Sequence, residues 1–467
     1  MNNLRASRAG QLRDLFREDG LVHVALVATI IIGFFLAYIK DRYPFPLSYF
    51  LFDLGLALTI FFWLTATDRL RRLALPRTPL TQPLLLFYAV CFVYMFFPDT
   101  PMMVGLSALR GWCVSSLAFL IGYDLIKSSR QVRTYLWIIV ALAMISGIYG
   151  IYQYAAGIES TIGEDTLAAQ RHQFATYVTE EGELEFRIFS TFVSAGAFGT
   201  MMAYASFIAL ALAISERVTS REKVLLMLAI IPMLTGLVLT GTRAALLMML
   251  IGVVILYWYK RRFRIYVTVM VLIFLGVQLG IGLTEGRAAD RFATLVDMSV
   301  LVGRLSTPLS TGWQAVMDAP LGHGLGVTGH GVPFFVLQKY PDLQLIFSDG
   351  DFGRVMVEMG VVGLILFGYI MVVAMKGALK SLRVLHATPS EDTALAIFGS
   401  AVMAGITTLV GSPFLGIPHG LLWWFFMGAL FKLQALWAIR PRRAWVDLPR
   451  HCVRVKPTRW RARVSSS

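Results

Sequence analysis

Apolar residues run along this chain in long continuous blocks, separated by short polar connections rich in Lys and Arg. Each block approaches the roughly 20 residues that an α-helix needs to cross a bilayer core. The blocks are continuous rather than alternating, so they predict helices and not the strands of a barrel. About twelve spans follow from this pattern: Leu21–Ile39, Leu47–Thr67, Gln82–Phe97, Met103–Ile121, Tyr135–Tyr154, Ala195–Ile214, Val224–Thr240, Ala244–Tyr259, Ile265–Leu283, Gly353–Met375, Thr393–Pro413 and Gly420–Ala438. The first run has no small-residue cleavage site behind it and is expected to act as an uncleaved span.

Composition narrows the class. Hydrophobic residues make up 57% and charged residues 15% of the chain, against roughly 25% charged in an average soluble domain. The expected fold is therefore an all-α polytopic membrane protein with no separate soluble domain. Its three parts are a basic tail over residues 1–20, a transmembrane domain over 21–438 and a second basic tail over 439–467.

The charge of +14 then sets orientation. Lys and Arg collect on alternate connections: the N-terminal Arg5 to Arg17, then Arg69–Arg77, Lys127–Arg133, Arg217–Lys223, Lys260–Arg264, Lys376–Arg383 and the tail from Arg440 to Arg463. Basic loops stay inside, which puts both termini in the cytoplasm. Topology and attraction to anionic lipid account for the excess, so no nucleic-acid partner is expected. Cys91 and Cys113 fall within spans and Cys452 in the tail, a pattern that indicates neither a disulfide framework nor a zinc site.

Two connections on the outer side are long, about residues 155–194 and 284–352. Loops of that length in a compact protein are usually functional. In the second, Thr307-Pro308 offers an N-cap and first-turn proline, Trp313, Val316 and Met317 one apolar face, and Ala319-Pro320 a stop. A surface helix lying as a lid over a cavity is expected there.

Arg243 stands at the crest of a tight turn, Thr240-Gly241-Thr242-Arg243, between two spans. An arginine carried to the centre of a membrane helix costs on the order of 2.5–3.5 kcal/mol. Phosphate is the partner that a guanidinium fork suits best. Arg110 lies inside the fourth span, where it either lines a cavity or forms a structural pair with Asp53.

Several blocks together resemble the bacterial O-antigen ligase and polymerase superfamily of membrane glycosyltransferases. They are Ile148–Gly157, Arg187–Phe192, Thr240–Leu246, Gly303-Arg304 with Trp313–Gly326, and Glu358–Gly363. The resemblance covers about residues 80–435. It implies a donor glycan on undecaprenyl diphosphate, presented at the outer leaflet of the inner membrane and transferred to an acceptor hydroxyl. It implies no cofactor or metal; Arg243 and Arg304 match arginines that hold the diphosphate, and Arg187 another recurrent basic position. Membrane lipid, chain-length regulators and flippase proteins are the further partners it implies. A diphosphate is already a good leaving group, so cationic groups on the phosphates and one base for the acceptor suffice.

The family's ligases carry a His-Asn pair where this chain has Asp349 and Gly350. Asp349 or Asp351 is therefore a candidate base, with Glu358 behind them; a plain helix-capping turn is the competing reading of Ser348–Asp351. His323 and His330, each in Gly-His-Gly, are candidates for binding sugar or phosphate rather than a metal pair, since no third ligand accompanies them. Gly324–Gly329 satisfies a G-x-G-x-x-G pattern, but no strand precedes it, and a flexible loop is expected instead. Taken together, these features favour a metal-independent glycan polymerase making O-antigen or exopolysaccharide. A ligase for lipid or protein acceptors is the first alternative. A secondary transporter is the second, although no internal repeat of the kind transporters show is evident.

Overall fold

The structure is a computed structural model that describes residues 19–43, 46–66, 75–98, 100–157, 161, 176–178, 184–261, 263–283 and 298–439. The two expected basic tails lie outside the described residues, apart from a residue or two at their inner edges.

A helix coincides with each predicted span. In chain order these are α1 (Gly20–Arg42), α2 (Leu51–Ala66), α3 (Thr81–Tyr94), α4 (Met102–Leu109) leading into α5 (Ala118–Leu125), α6 (Ser129–Ala156), α7 (Ala195–Ala213), α8 (Ser220–Leu239), α9 (Arg243–Lys260) and α10 (Phe263–Leu283). There follow α11 (Met298–Asp318) and the short α12 (Phe334–Leu337) in the outer segment, then α13 (Asp351–Val384), α14 (Glu391–Thr407) and α15 (His419–Ile439). A two-stranded hairpin, β1 (Thr176–Val178) and β2 (Leu184–Phe186), is the sole departure from an all-helical chain among the described residues. Among the described residues, eight helices, counting Met102–Leu125 as one, are long and apolar enough to cross a membrane, and three shorter apolar helices join them. This is a multi-pass membrane protein. The predicted eleventh span is the short α14, which starts on Glu391 and Asp392; both reach Lys260 at the end of α9, at 3.1 and 2.8 Å.

Local sequence sets the helix ends. Ser128 and Gln131 form a capping box at α6, as do Thr219 and Glu222 at α8, and the Ser194 hydroxyl accepts from Ala197 N at α7. With lipid around the bundle, close approach is what packs helices together, and small residues permit it. Gly122 and Gly428 each lie against the partner helix backbone, at Phe425 and Phe119, where α5 crosses α15.

The outer segment departs from expectation in three ways. Helix α11 starts at Met298, so Pro308 is inside it and Thr307 does not cap it. The Thr307 hydroxyl instead donates back to the Gly303 carbonyl at 2.7 Å, and the Ser310 hydroxyl to Thr307 O at 3.0 Å. Both are back-bonds onto carbonyls three or four residues earlier, and neither reaches the carbonyl of residue 304 that Pro308 leaves without its helical donor. Second, the face it buries contains Gly312, Ala315 and Val316, while Trp313 and Met317 are exposed. Gly312 meets Gly353, so the helix packs along the start of α13 rather than standing apart as a lid. Third, Gly324–Gly329 is a packed coil: Leu325 and Thr328 are buried, and Gly324 and Gly326 press on Thr100 and Val104.

That coil is held by a break in α13. Gly360 has φ 59° and ψ −144°, a region essentially reserved for glycine. The carbonyls of Val357 and Glu358 accept from His323 N and Gly324 N, each at 3.0 Å, while Val361 N donates to Pro320 O at 3.0 Å. Residues 320–324 are thereby stitched into the bundle.

Candidate active site

The first turns of α13 place Asp351, Arg354 and Glu358 on one helical face, because residues spaced three and four apart stack over one another. All three are buried. Glu358 accepts from the Trp112 indole N–H at 2.9 Å and from the Thr328 hydroxyl at 2.6 Å. Asp351 Oδ2 accepts from Phe414 N at 3.0 Å, and its Oδ1 makes no hydrogen bond of normal geometry. Arg354 donates from Nε to Ser348 O at 3.0 Å and from Nη1 to the Ser412 hydroxyl. Beneath them lies an aromatic floor in which Phe367 meets Trp112, Phe352 and Phe414 edge-on at 5.8, 5.0 and 5.8 Å between centroids.

Asp349 differs from its neighbours because it is exposed. It follows Ser348, whose carbonyl Arg354 holds, and precedes Gly350, which has φ 81° and lies against the Thr408 and Leu409 carbonyls. Of the three candidate carboxylates, Asp349 is the exposed one, whereas Asp351 and Glu358 are fully buried.

On the neighbouring wall Arg110 opens a π-helical turn, Arg110–Val114, a feature that often marks functional sites. It pairs with Asp53 at 2.7 Å and donates to Gly331 O at 3.2 Å. The structural pair is thus formed, and it also reaches the outer coil beside His330. His330 keeps an exposed edge, and desolvation by its surroundings, then the nearby Arg354 guanidinium, lowers its pKa to about 3. His323 is half-buried, with its backbone carbonyl accepting from Thr100 Oγ1 at 3.0 Å.

A second basic grouping forms where the segment following β2 meets the turn before α9. Arg187 donates from Nε to Thr240 O at 3.0 Å and from Nη2 to Thr242 Oγ1 at 2.8 Å. Arg243 is the first residue of α9 and follows directly on Thr242, which Arg187 holds, so its charge adds to the positive end of that helix's dipole. Arg304 occupies α11, and its side chain lies outside the described residues. Among the described residues, no group of three or more His, Cys, Asp or Glu is arranged to hold a metal ion.

Residues 228–368 match the family model of O-antigen ligase. The matched segment holds Arg243, Arg304, His323, His330, Asp349, Asp351 and Glu358, together with the break at Gly360; Arg110 and Arg187 lie before it. It is shorter than the stretch over which the sequence resemblance was read. No curated protein matches the chain.

Sequence reasoning missed Arg354, Thr328 and the hydrogen bond from Trp112 to Glu358. A signal for Arg354 was present: Asp351, Arg354 and Glu358 put three charges on one face within an apolar helix, and charges inside membrane helices mark function. Nothing local in the sequence links Trp112 or Thr328 to Glu358.

Proposed function

We propose that this protein polymerises undecaprenyl-diphosphate-linked glycan repeat units at the periplasmic face of the bacterial inner membrane, as an O-antigen or exopolysaccharide polymerase. The observation that carries this reading is the exposed carboxylate of Asp349, inside the segment that matches the O-antigen ligase family and, by the sequence resemblance, where the family's ligases carry a histidine. In the mechanism, Arg243 and Arg187 bind the donor's diphosphate, joined by Arg304 on α11. Asp349 accepts the proton of the acceptor hydroxyl as that oxygen attacks the anomeric carbon. The bond from sugar to phosphate breaks, and the charge on the leaving lipid diphosphate is held by the guanidinium groups. Arg110, His323 and His330 line the approach for the sugar, with His330 neutral and able to accept or donate a hydrogen bond.

A ligase is the second reading, favoured by the description of the matching family model itself. The two are separated by the glycan profile of a deletion strain: a single repeat on its acceptor supports the polymerase, whereas unattached polymer supports the ligase. In vitro, Asp349→Asn keeps the side chain's size and removes its basicity. Transfer should slow by roughly 100-fold or more, in the range general bases supply, while donor binding persists. An unchanged transfer rate would rule out Asp349 as the base.

A further inference from the structure

Two segments from distant parts of the chain meet behind Asp349: residues 348–352, entering α13, and residues 408–414, leaving α14. Two backbone bonds join them, from Asp351 N to Gly411 O at 3.1 Å and from Phe352 N to Thr408 O at 3.3 Å. Two side chains complete the contact in reciprocal directions. Asp351, on the first segment's side, accepts from Phe414 N; Arg354, one turn on, donates back to Ser348 O and across to the Ser412 hydroxyl.

Arg354 is 5% exposed, which shields it from solvent and leaves its carboxylate neighbours Asp351, Glu358 and Asp349 to balance its charge. A buried guanidinium costs several kcal/mol to desolvate, and apolar replacements often serve stability equally well. Its retention here coincides with a geometric task that no apolar residue can perform. It grips the carbonyl immediately before Asp349, and its other arm is anchored on a different segment.

We propose that Arg354 is a positioning residue: with Ser412 it fixes the Ser348–Asp351 turn so that the Asp349 carboxylate stands at the mouth of the site in one orientation. The proposal rests on Asp349 serving as the base. Arg354 itself touches no substrate in this scheme. Its contribution is the pre-organisation of a group that does, and displacing such a group by 1 Å can cost roughly 100-fold in rate.

The test uses the full-length protein in detergent with lipid-linked repeat units as donor and acceptor, and measures kcat and KM separately. Ser412→Ala removes one anchor and leaves every charge in place. It should lower kcat by roughly tenfold with donor KM unchanged and leave the melting temperature close to that of the wild type. Arg354→Gln should lower kcat further, and Arg354→Lys should recover part of that loss, because lysine keeps the charge but cannot span both anchors. Should Arg354→Gln fail to fold, Ser412→Ala and Arg354→Lys still decide the matter. Full kcat in both, with Asp349→Asn slow, would overturn the positioning role and spare the base. A raised KM at constant kcat would also overturn it, by making Arg354 a substrate-binding group. A wild-type rate in Asp349→Asn would instead remove the base, and the positioning role with it.

Discussion

Gly360→Ala tests whether the break in α13 holds the outer coil. At φ 59° and ψ −144° an alanine is strained by about 1–3 kcal/mol. Its Cβ would also overlap the Pro320 carbonyl oxygen and approach Gly322 N to 2.6 Å, so residues 320–322 must move. That movement threatens three backbone bonds, from His323 N to Val357 O, Gly324 N to Glu358 O and Val361 N to Pro320 O. At about 0.5–1.5 kcal/mol each, their loss adds about 1.5–4.5 kcal/mol. The expected total of about 2.5–7.5 kcal/mol is comparable with the whole stability of many domains. The control is Gly368→Ala on the same helix, where an added Cβ meets open space and alanine should stabilise by up to about 1 kcal/mol. Unfolding of both variants in mixed SDS micelles, followed by circular dichroism, gives the difference directly. Stabilities within about 1 kcal/mol of each other would refute the account of the break.

Two further outcomes concern the walls of the site. The Arg110–Asp53 pair is partly exposed, with side chains 31% and 26% accessible, so solvent screens it. A double-mutant cycle with Arg110→Gln and Asp53→Asn should return a coupling of about 1 kcal/mol or less, and a coupling several times larger would show a drier site than the one described. For His330, the folded pKa of about 3 lies below the unfolded value of 6.5. The unfolded chain therefore binds more protons between those values, and stability should fall as pH drops from 6.5 toward 3. His330→Gln should flatten that part of the stability curve in thermal unfolding scans, and an unaltered curve would place the titrating group elsewhere.

The helices were legible in the sequence because the bilayer forces every backbone polar group to pair within its own segment, so length and continuity of apolar runs suffice to find them. Arg243 could be singled out because it stands in a tight turn between two apolar runs, where a guanidinium carries a desolvation cost. The outer segment resisted, because its elements are set by contacts with the bundle. Pro308 and Thr307 looked like a helix start, yet packing of Gly312 on Gly353 carries α11 through them. The Gly-rich run looked loose, and Gly324 and Gly326 prove to be glycines because Thr100 and Val104 leave no space for a side chain. Asp349, Asp351 and Glu358 were all visible as carboxylates, but their separation into one accessible group and two buried ones depends on the 408–414 segment, Trp112 and Thr328, none of them neighbours in sequence. The sequence by itself determined which segments are helical and which residue types the chemistry has to hand. The tertiary structure decided which of those side chains are exposed and which are buried in hydrogen bonds, because that depends on contacts between segments that meet only when the bundle forms.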